Sequence, residues 1–165
     1  MGGTNTQVDV LIVGAGPVGL SLAIELGSQG ITCLVIEKND RIGYNPRAKT
    51  TNVRSRELMR RWGVAQKLRA ASPIPADYPG DIVFATRLAG PELARFENAF
   101  NTSPERNNLY SDEAQWVPQY VVEEVLRDHA LSLPGVAIRF ECEHVSFEQG
   151  TDGVTAIVRD VRSGQ

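Results

Sequence analysis

Three glycines in the run Gly14-Ala15-Gly16-Pro17-Val18-Gly19, and an acid farther along at Glu37, are the residues whose types and spacing point to chemistry. A diphosphate needs N–H donors, close approach of the backbone and a favourable field. The first turn of a helix supplies these, because its N–H groups have no intrahelical partner and sit at the positive end of the helix dipole. Gly14 allows a tight strand-to-helix turn, Gly16 lets the backbone come close to the diphosphate, and Gly19 lets the helix lie near the strand. Pro17, at the first helical position, gives up an N–H that would be unpaired in any case, and Val18 completes the turn. Glu37 falls about 20 residues on, where a carboxylate accepts hydrogen bonds from the adenosine ribose hydroxyls and repels a ribose phosphate. The set reads as a cradle for the ADP half of a dinucleotide, with NADP disfavoured. The bland alternative is a glycine turn in some other α/β domain, with Glu37 a solvated strand-end charge.

The elements that must position these residues are legible around them. Val8–Val13 is a short β-branched apolar run, the pattern of a buried parallel strand. Leu20, Ala23, Ile24 and Gly27 recur at helical spacing up to Gly30, a suitable stop. Ile31–Ile36 is a second strand, so residues 8–37 form one βαβ unit with a right-handed crossover. Lys38–Lys49 reads as a loop, Thr51–Trp62 as a helix with Val53, Leu58 and Met59 apolar, and Val64–Ala71 as a short helix. Asp81–Thr86 and Glu92–Glu97 are expected strands, and Asn98–Gln115 an irregular loop. Pro118 opens a helix to about Ala130 whose stripe of Val121, Val122, Val125 and Leu126 is core. Val136–Phe140 is a third strand, and Val145–Glu148 with Val154–Asp160 a hairpin across Gln149–Gly153.

Composition narrows the function classes. The 165 residues are 42% hydrophobic and 22% charged, ordinary for one globular domain, and the net charge of −3 gives no footprint for nucleic acid or an anionic membrane. Cys33 and Cys142 are far apart and His129 and His144 are isolated, so neither a disulfide framework nor a metal site is expected. Cys33, inside an apolar run, reads as a buried small hydrophobe. Met1–Gln7 is polar and the first apolar run is too short to span a bilayer, which makes the cytoplasm the default location.

Beyond Glu37 the sequence resembles the single-component flavoprotein aromatic hydroxylases of the p-hydroxybenzoate hydroxylase fold. The matching residues are Asp9 through Leu20, Val35-Ile36-Glu37-Lys38, Pro46-Arg47-Ala48 with Asn52, Arg54, Glu57, Leu58 and Trp62-Gly63, and Pro118-Gln119 with Glu123, Leu126 and Arg127. The likeness covers nearly the whole chain, loosely between Ser72 and Trp116, and is nearest the phenol and hydroxyphenylpropionate hydroxylase branch. It implies FAD as cofactor, NAD(P)H as a transient co-substrate, and O2 and a small aromatic substrate as partners. It also implies that Lys38 lies beside Glu37 at the cofactor, and that Arg47 and Gln119 contact its pyrophosphate-to-ribityl linker. A guanidinium suits that task, since it stays charged and donates in a fork. The competing readings are a solvated loop charge for Arg47 and a first-turn polar residue for Gln119. Arg54, Arg56, Arg60 and Arg61 read as a solvated helix face. No acid, base or nucleophile stands out, and Tyr44, Asp77 and Tyr110 are not separable from ordinary loop residues.

The expected fold is α/β: a Rossmann-like FAD-binding βαβ with a parallel sheet, a β-hairpin or meander, and the start of a substrate domain. The resemblance divides the chain into residues 1–75 (FAD-binding βαβ and following helices), 76–116 (substrate-domain segment) and 117–165 (return to the FAD-binding domain). Two further family motifs, an Asp-Gly after about residue 160 and a later Gly-Asp, do not occur. Asp152-Gly153 sits in a hairpin turn, where that pair is common for backbone reasons. The chain is therefore expected to be the N-terminal part of a longer enzyme and to hold FAD weakly, or not at all, by itself. Another FAD-dependent oxidoreductase (a reductase, dehydrogenase or halogenase), a truncated non-catalytic binding or dimerisation module, and a plain NAD-dependent dehydrogenase stay open. So does a homo-oligomer.

Overall fold

The computed structural model of the protein describes residues 5–40, 47–104 and 108–164. In chain order the elements are β1 (Val10–Val13), α1 (Pro17–Ser28), β2 (Cys33–Ile36), β3 (Thr50–Thr51), α2 (Val53–Arg61), α3 (Ala65–Ala71), β4 (Ile82–Ala85), β5 (Glu92–Phe96), β6 (Gln115–Trp116), α4 (Gln119–Leu131), β7 (Val136–Arg139), β8 (Cys142–Gln149) and β9 (Val154–Asp160). The chain divides into two compact units, Met1–Tyr44 with Glu123–Gln165, and Asn45–Val122.

The first unit is built on a parallel sheet in the order β1-β2-β7. Val10 pairs with Cys33 and Val13 with Ile36, while Cys33 pairs with Val136 and Ile36 with Arg139. As the middle strand, β2 is covered on both faces, which is why Cys33, Leu34, Val35 and Ile36 are apolar without alternation and all buried. The α1 helix turns Leu20, Ala23, Ile24 and Gly27 inward. A Cβ on Gly27 would stand 2.4 Å from Cγ2 of Val136, so glycine here lets the helix lie against β7. β8 and β9 form an antiparallel hairpin closed by Gly150, whose N–H donates to the Gly153 carbonyl at 2.8 Å. Its first strand starts at Cys142 rather than Val145. A bulge between His144 and Ser146 breaks the alternation there and hides the strand's beginning from a period-2 reading.

In the second unit α2 starts at Val53, not Thr51, because Asn52 caps it: Oδ1 accepts from the Ser55 N–H at 2.9 Å. Thr50 and Thr51 belong instead to β3, which pairs antiparallel with β6 (Thr50 with Trp116, Thr51 with Gln115). β6 thus ends the stretch expected to be wholly irregular. β4 and β5, at the two expected strands, pair as an antiparallel hairpin, Ile82 opposite Phe96. The arginine-rich face of α2 needs a correction. Arg56 is not solvated but fully buried, and with Met59 it forms the inward side of the helix. Its charge is compensated by Asp112, 56 residues away, which no local pattern reveals.

Candidate functional site

β1 delivers the chain to Gly14, whose φ of +104° is open to glycine and strained for other residues, and whose N–H donates to the Ile36 carbonyl at 2.8 Å. Gly16 is the N-cap of α1 and Pro17 its first residue, and no side chain caps the helix. The first-turn N–H groups therefore stay open to an anion. Val18 projects outward, 84% exposed. A Cβ on Gly16 would meet nothing within 4 Å, so the space over that peptide is free for a ligand to approach. A Cβ on Gly19 would stand 2.0 Å from the Gly14 carbonyl oxygen. Only glycine allows the helix to close on the turn at that point. An uncapped helix start, a bare backbone approach and a tight turn fit a diphosphate.

Glu37 follows the last residue of β2 and is half-buried. Its Oε2 accepts from the Ala15 N–H at 3.0 Å, tying the strand end to the glycine turn. Its Oε1 accepts from the Asn39 N–H at 3.0 Å and from Asn39 Nδ2 at 2.6 Å. The Glu37 backbone is fixed as well: its N–H donates to the Arg139 carbonyl and its carbonyl accepts from the Cys142 N–H. Two donors fill Oε1, and one leaves Oε2 a lone pair for a ribose hydroxyl. Lys38 is exposed and faces the electrostatic field of Glu143, a carboxylate held below its ordinary range chiefly by its bond from Arg159. Asn39 was not anticipated. An amide two residues after a strand-end acid, placed to close a local turn, is the signal that could have found it.

Arg47 and Gln119 lie in the second unit, and the β3–β6 ladder brings their backbones together. The ladder continues past its two paired residues: the Val117 N–H donates to the Lys49 carbonyl at 2.8 Å and the Gln119 N–H to the Ala48 carbonyl at 3.0 Å. Arg47 is exposed and Gln119 half-buried at the start of α4. Tyr44 and the basic loop through Pro46 lie outside the described residues. Asp77 is exposed. Tyr110 lines a polar cleft of about 950 Å³ with Glu57, Arg60, Arg69 and Glu113, which shares no residue with the glycine turn or with Arg47 and Gln119.

Among the described residues no three His, Cys, Asp or Glu side chains gather as metal ligands, and no helix is long and apolar enough to cross a membrane. Cys33 is buried, as its apolar run suggested. His144 packs against Phe147 with ring centroids 6.1 Å apart. The Val121, Val122 and Leu126 stripe is buried and Val125 is half-buried.

The family described as FAD binding domain matches residues 7–165. A 2,4-dichlorophenol 6-monooxygenase of Delftia acidovorans is 35% identical over 161 residues, which are 95% of this chain and 27% of that protein. The substrate-free rebeccamycin biosynthetic enzyme RebC superposes with a TM-score of 0.86 at 33% identity, over 99% of this chain and 31% of that one. The flavin-dependent monooxygenase PieE, solved with FAD and substrate, superposes with a TM-score of 0.85 at 32% identity, over 99% and 28%. The chain thus spans about a quarter to a third of the length of these relatives.

Proposed function

Because the chain belongs to the family of FAD binding domains, we propose that it carries the ADP-binding cradle and the first flavin-side contacts of an FAD-dependent monooxygenase that hydroxylates a phenolic ring. The observation that carries this reading is the joint geometry of Gly14, Gly16, Gly19 and Glu37. The turn is closed by a contact only glycine permits, and the strand-end carboxylate is bonded to the turn's own Ala15 amide. In this reading the open N–H groups at Val18 and Gly19 hold the diphosphate, Glu37 Oε2 takes a ribose hydroxyl with Lys38 beside it, and Asn39 holds the carboxylate in place. Arg47 and Gln119 take the pyrophosphate-to-ribityl linker. FAD, when bound, supplies the redox chemistry with NAD(P)H and O2. The protein supplies binding, orientation and exclusion of water. Residues 1–75 and 117–165 are assigned to the FAD-binding domain and 76–116 to a substrate-domain segment, in a cytoplasmic enzyme.

The test is the full-length polypeptide that carries this segment, incubated with NAD(P)H, a panel of phenols and 18O2. Phenol-dependent NAD(P)H consumption with one 18O in the product is the expected result. NAD(P)H oxidation with no hydroxylated product would overturn the monooxygenase reading, and a purified protein without flavin absorbance would overturn the FAD reading too.

A further inference from the structure

Among the described residues the largest fully buried side chain is a charged one. Arg56 donates through Nη1 to the Ala65 carbonyl at 2.9 Å and through Nη2 to Asp112 Oδ1 at 3.3 Å. Around that pair, α2 and α3 grip the segment 111–113 at every residue. Glu57 Oε1 accepts from the Ser111 N–H at 3.0 Å, Arg60 Nη1 donates to the Ser111 carbonyl at 2.8 Å, and Arg69 pairs with Glu113 and approaches Asp112 at 3.9 Å. The gripped segment runs directly into β6. α2, in turn, starts one residue after β3. The contacts therefore close a ring: β3 to α2 through the chain, α2 to 111–113 through the ion pairs, 111–113 to β6 through the chain, and β6 back to β3 through the ladder.

That ring matters because the ladder alone is weak. Two paired residues on each side, continued by the bonds from the Val117 and Gln119 amides, hold a register weakly, and a slip of one residue would exchange the buried Thr51–Gln115 face for the Thr50–Trp116 face. The same register decides whether Ala48 receives the Gln119 amide. A buried ion pair is a weak source of stability, since an apolar pair of similar volume does as well or better, but its fork geometry is directional.

We propose that Arg56 and Asp112 are positioning residues for the flavin side of the cofactor site: their buried pair fixes the β3–β6 register and thereby sets Arg47 and Gln119 beside each other. The proposal rests on the flavin reading given above for those two residues. It places a functional constraint on a buried side chain of α2.

The test compares the full-length polypeptide that carries this segment with its double variant Arg56→Met/Asp112→Leu and with its Asp112→Asn variant. The double variant replaces the pair by apolar groups and keeps the fold accessible if Asp112→Asn, which strands the Arg56 charge, does not fold. Amide hydrogen exchange is read at Val117 and Gln119, with Leu34 and Val35 as controls. ADP and FAD titrations to millimolar concentration are followed by NMR shifts. In the double variant the Val117 and Gln119 amides are expected to exchange at least about tenfold faster, the controls to stay unchanged, and ADP affinity to hold within about twofold. The preference of the wild type for FAD over ADP is expected to vanish. A merely structural role would lower protection and both affinities together. Unchanged exchange at Val117 and Gln119, or a retained FAD preference, overturns the proposal alone. A wild type that binds ADP and FAD equally overturns the flavin reading of Arg47 and Gln119, and the proposal with it. A wild type that binds neither overturns the dinucleotide reading itself.

Discussion

Gly16 and Gly19 sit three residues apart in one motif, yet the structure gives them different tasks, and two single-methyl variants separate them. In Gly19→Ala the new Cβ lies 2.0 Å from the Gly14 carbonyl oxygen, 3.2 Å from the Gly14 carbonyl carbon and 3.3 Å from Ile12 Cγ2. The nearest atom is backbone and cannot rotate away, so α1 has to recede from β1 until that contact opens. Overpacking of this kind costs about 1–3 kcal/mol, and a clash this short belongs at the upper end. Alanine returns about 1 kcal/mol through its helix propensity. The net loss is about 2 kcal/mol, which for a chain of this size lowers Tm by about 4–8 °C. Gly16→Ala meets no atom within 4 Å and has an ordinary φ of −76°. Its stability cost is confined to a poorer N-cap, about 1 kcal/mol or less, but its methyl occupies the space through which a diphosphate approaches. We expect Gly16→Ala to melt within a few degrees of wild type and to lose ADP affinity by about tenfold or more, a penalty of about 1.4 kcal/mol. The assays are thermal melts by far-UV circular dichroism and ADP titration calorimetry. A Gly19→Ala protein that melts with the wild type, together with a Gly16→Ala protein that binds ADP as well, would refute the division of labour.

Three further outcomes follow from the same geometry. Glu37→Gln keeps an acceptor for the Ala15 amide but loses the charge at the ribose. At about 1.5–3 kcal/mol for a hydrogen bond to a charged group, ADP should bind roughly ten- to a hundredfold more weakly by calorimetry with little change in Tm, and an unchanged affinity would remove Glu37 from the site. Asp9 is held below the ordinary carboxylate range chiefly by the Thr32 hydroxyl at 2.6 Å, with the Thr32 amide at 2.9 Å second. Its folded pKa is depressed, so its contribution to stability is complete above the unfolded value of about 3.9 and is lost as pH falls through the folded one. Thr32→Val should move the Asp9 midpoint upward in a carboxyl NMR titration, and the stability gap between variant and wild type should close below about pH 4. An unmoved midpoint would refute that cause. Burial pushes the Cys33 thiol up, so a thiol reagent at neutral pH should modify at most one cysteine of the folded chain, half-buried Cys142, and both in denaturant.

What the sequence disclosed and what it hid divide along the range of the interactions. The βαβ unit was legible because everything that makes it is local. β2 is apolar without alternation because it is the middle strand, and the turn needs glycine within a few residues of where the strand stops. The third parallel strand near Val136 was legible for the same reason, though nothing in its residues says that it pairs with β2 rather than β1. β3 and β6 were not legible, since two-residue strands have no period and exist only because Thr51 meets Gln115 across the fold. Arg56 shows the limit most sharply. On an arginine-rich helix the default is a solvated face, and Arg54 and Arg60 are exposed, although Arg60 also donates to the Ser111 carbonyl. Arg56 differs only through Asp112 and the Ala65 carbonyl, and neither is detectable by helical spacing. The site follows the same rule. The glycine turn and its tie to Glu37 could be read from Gly14 to Glu37, whereas the pairing that brings the Arg47 and Gln119 backbones together depends on the β3–β6 ladder, whose partners are distant in sequence. Variation at Arg56 or Asp112 is therefore expected to alter the flavin side of the site while leaving every residue of the glycine motif in place.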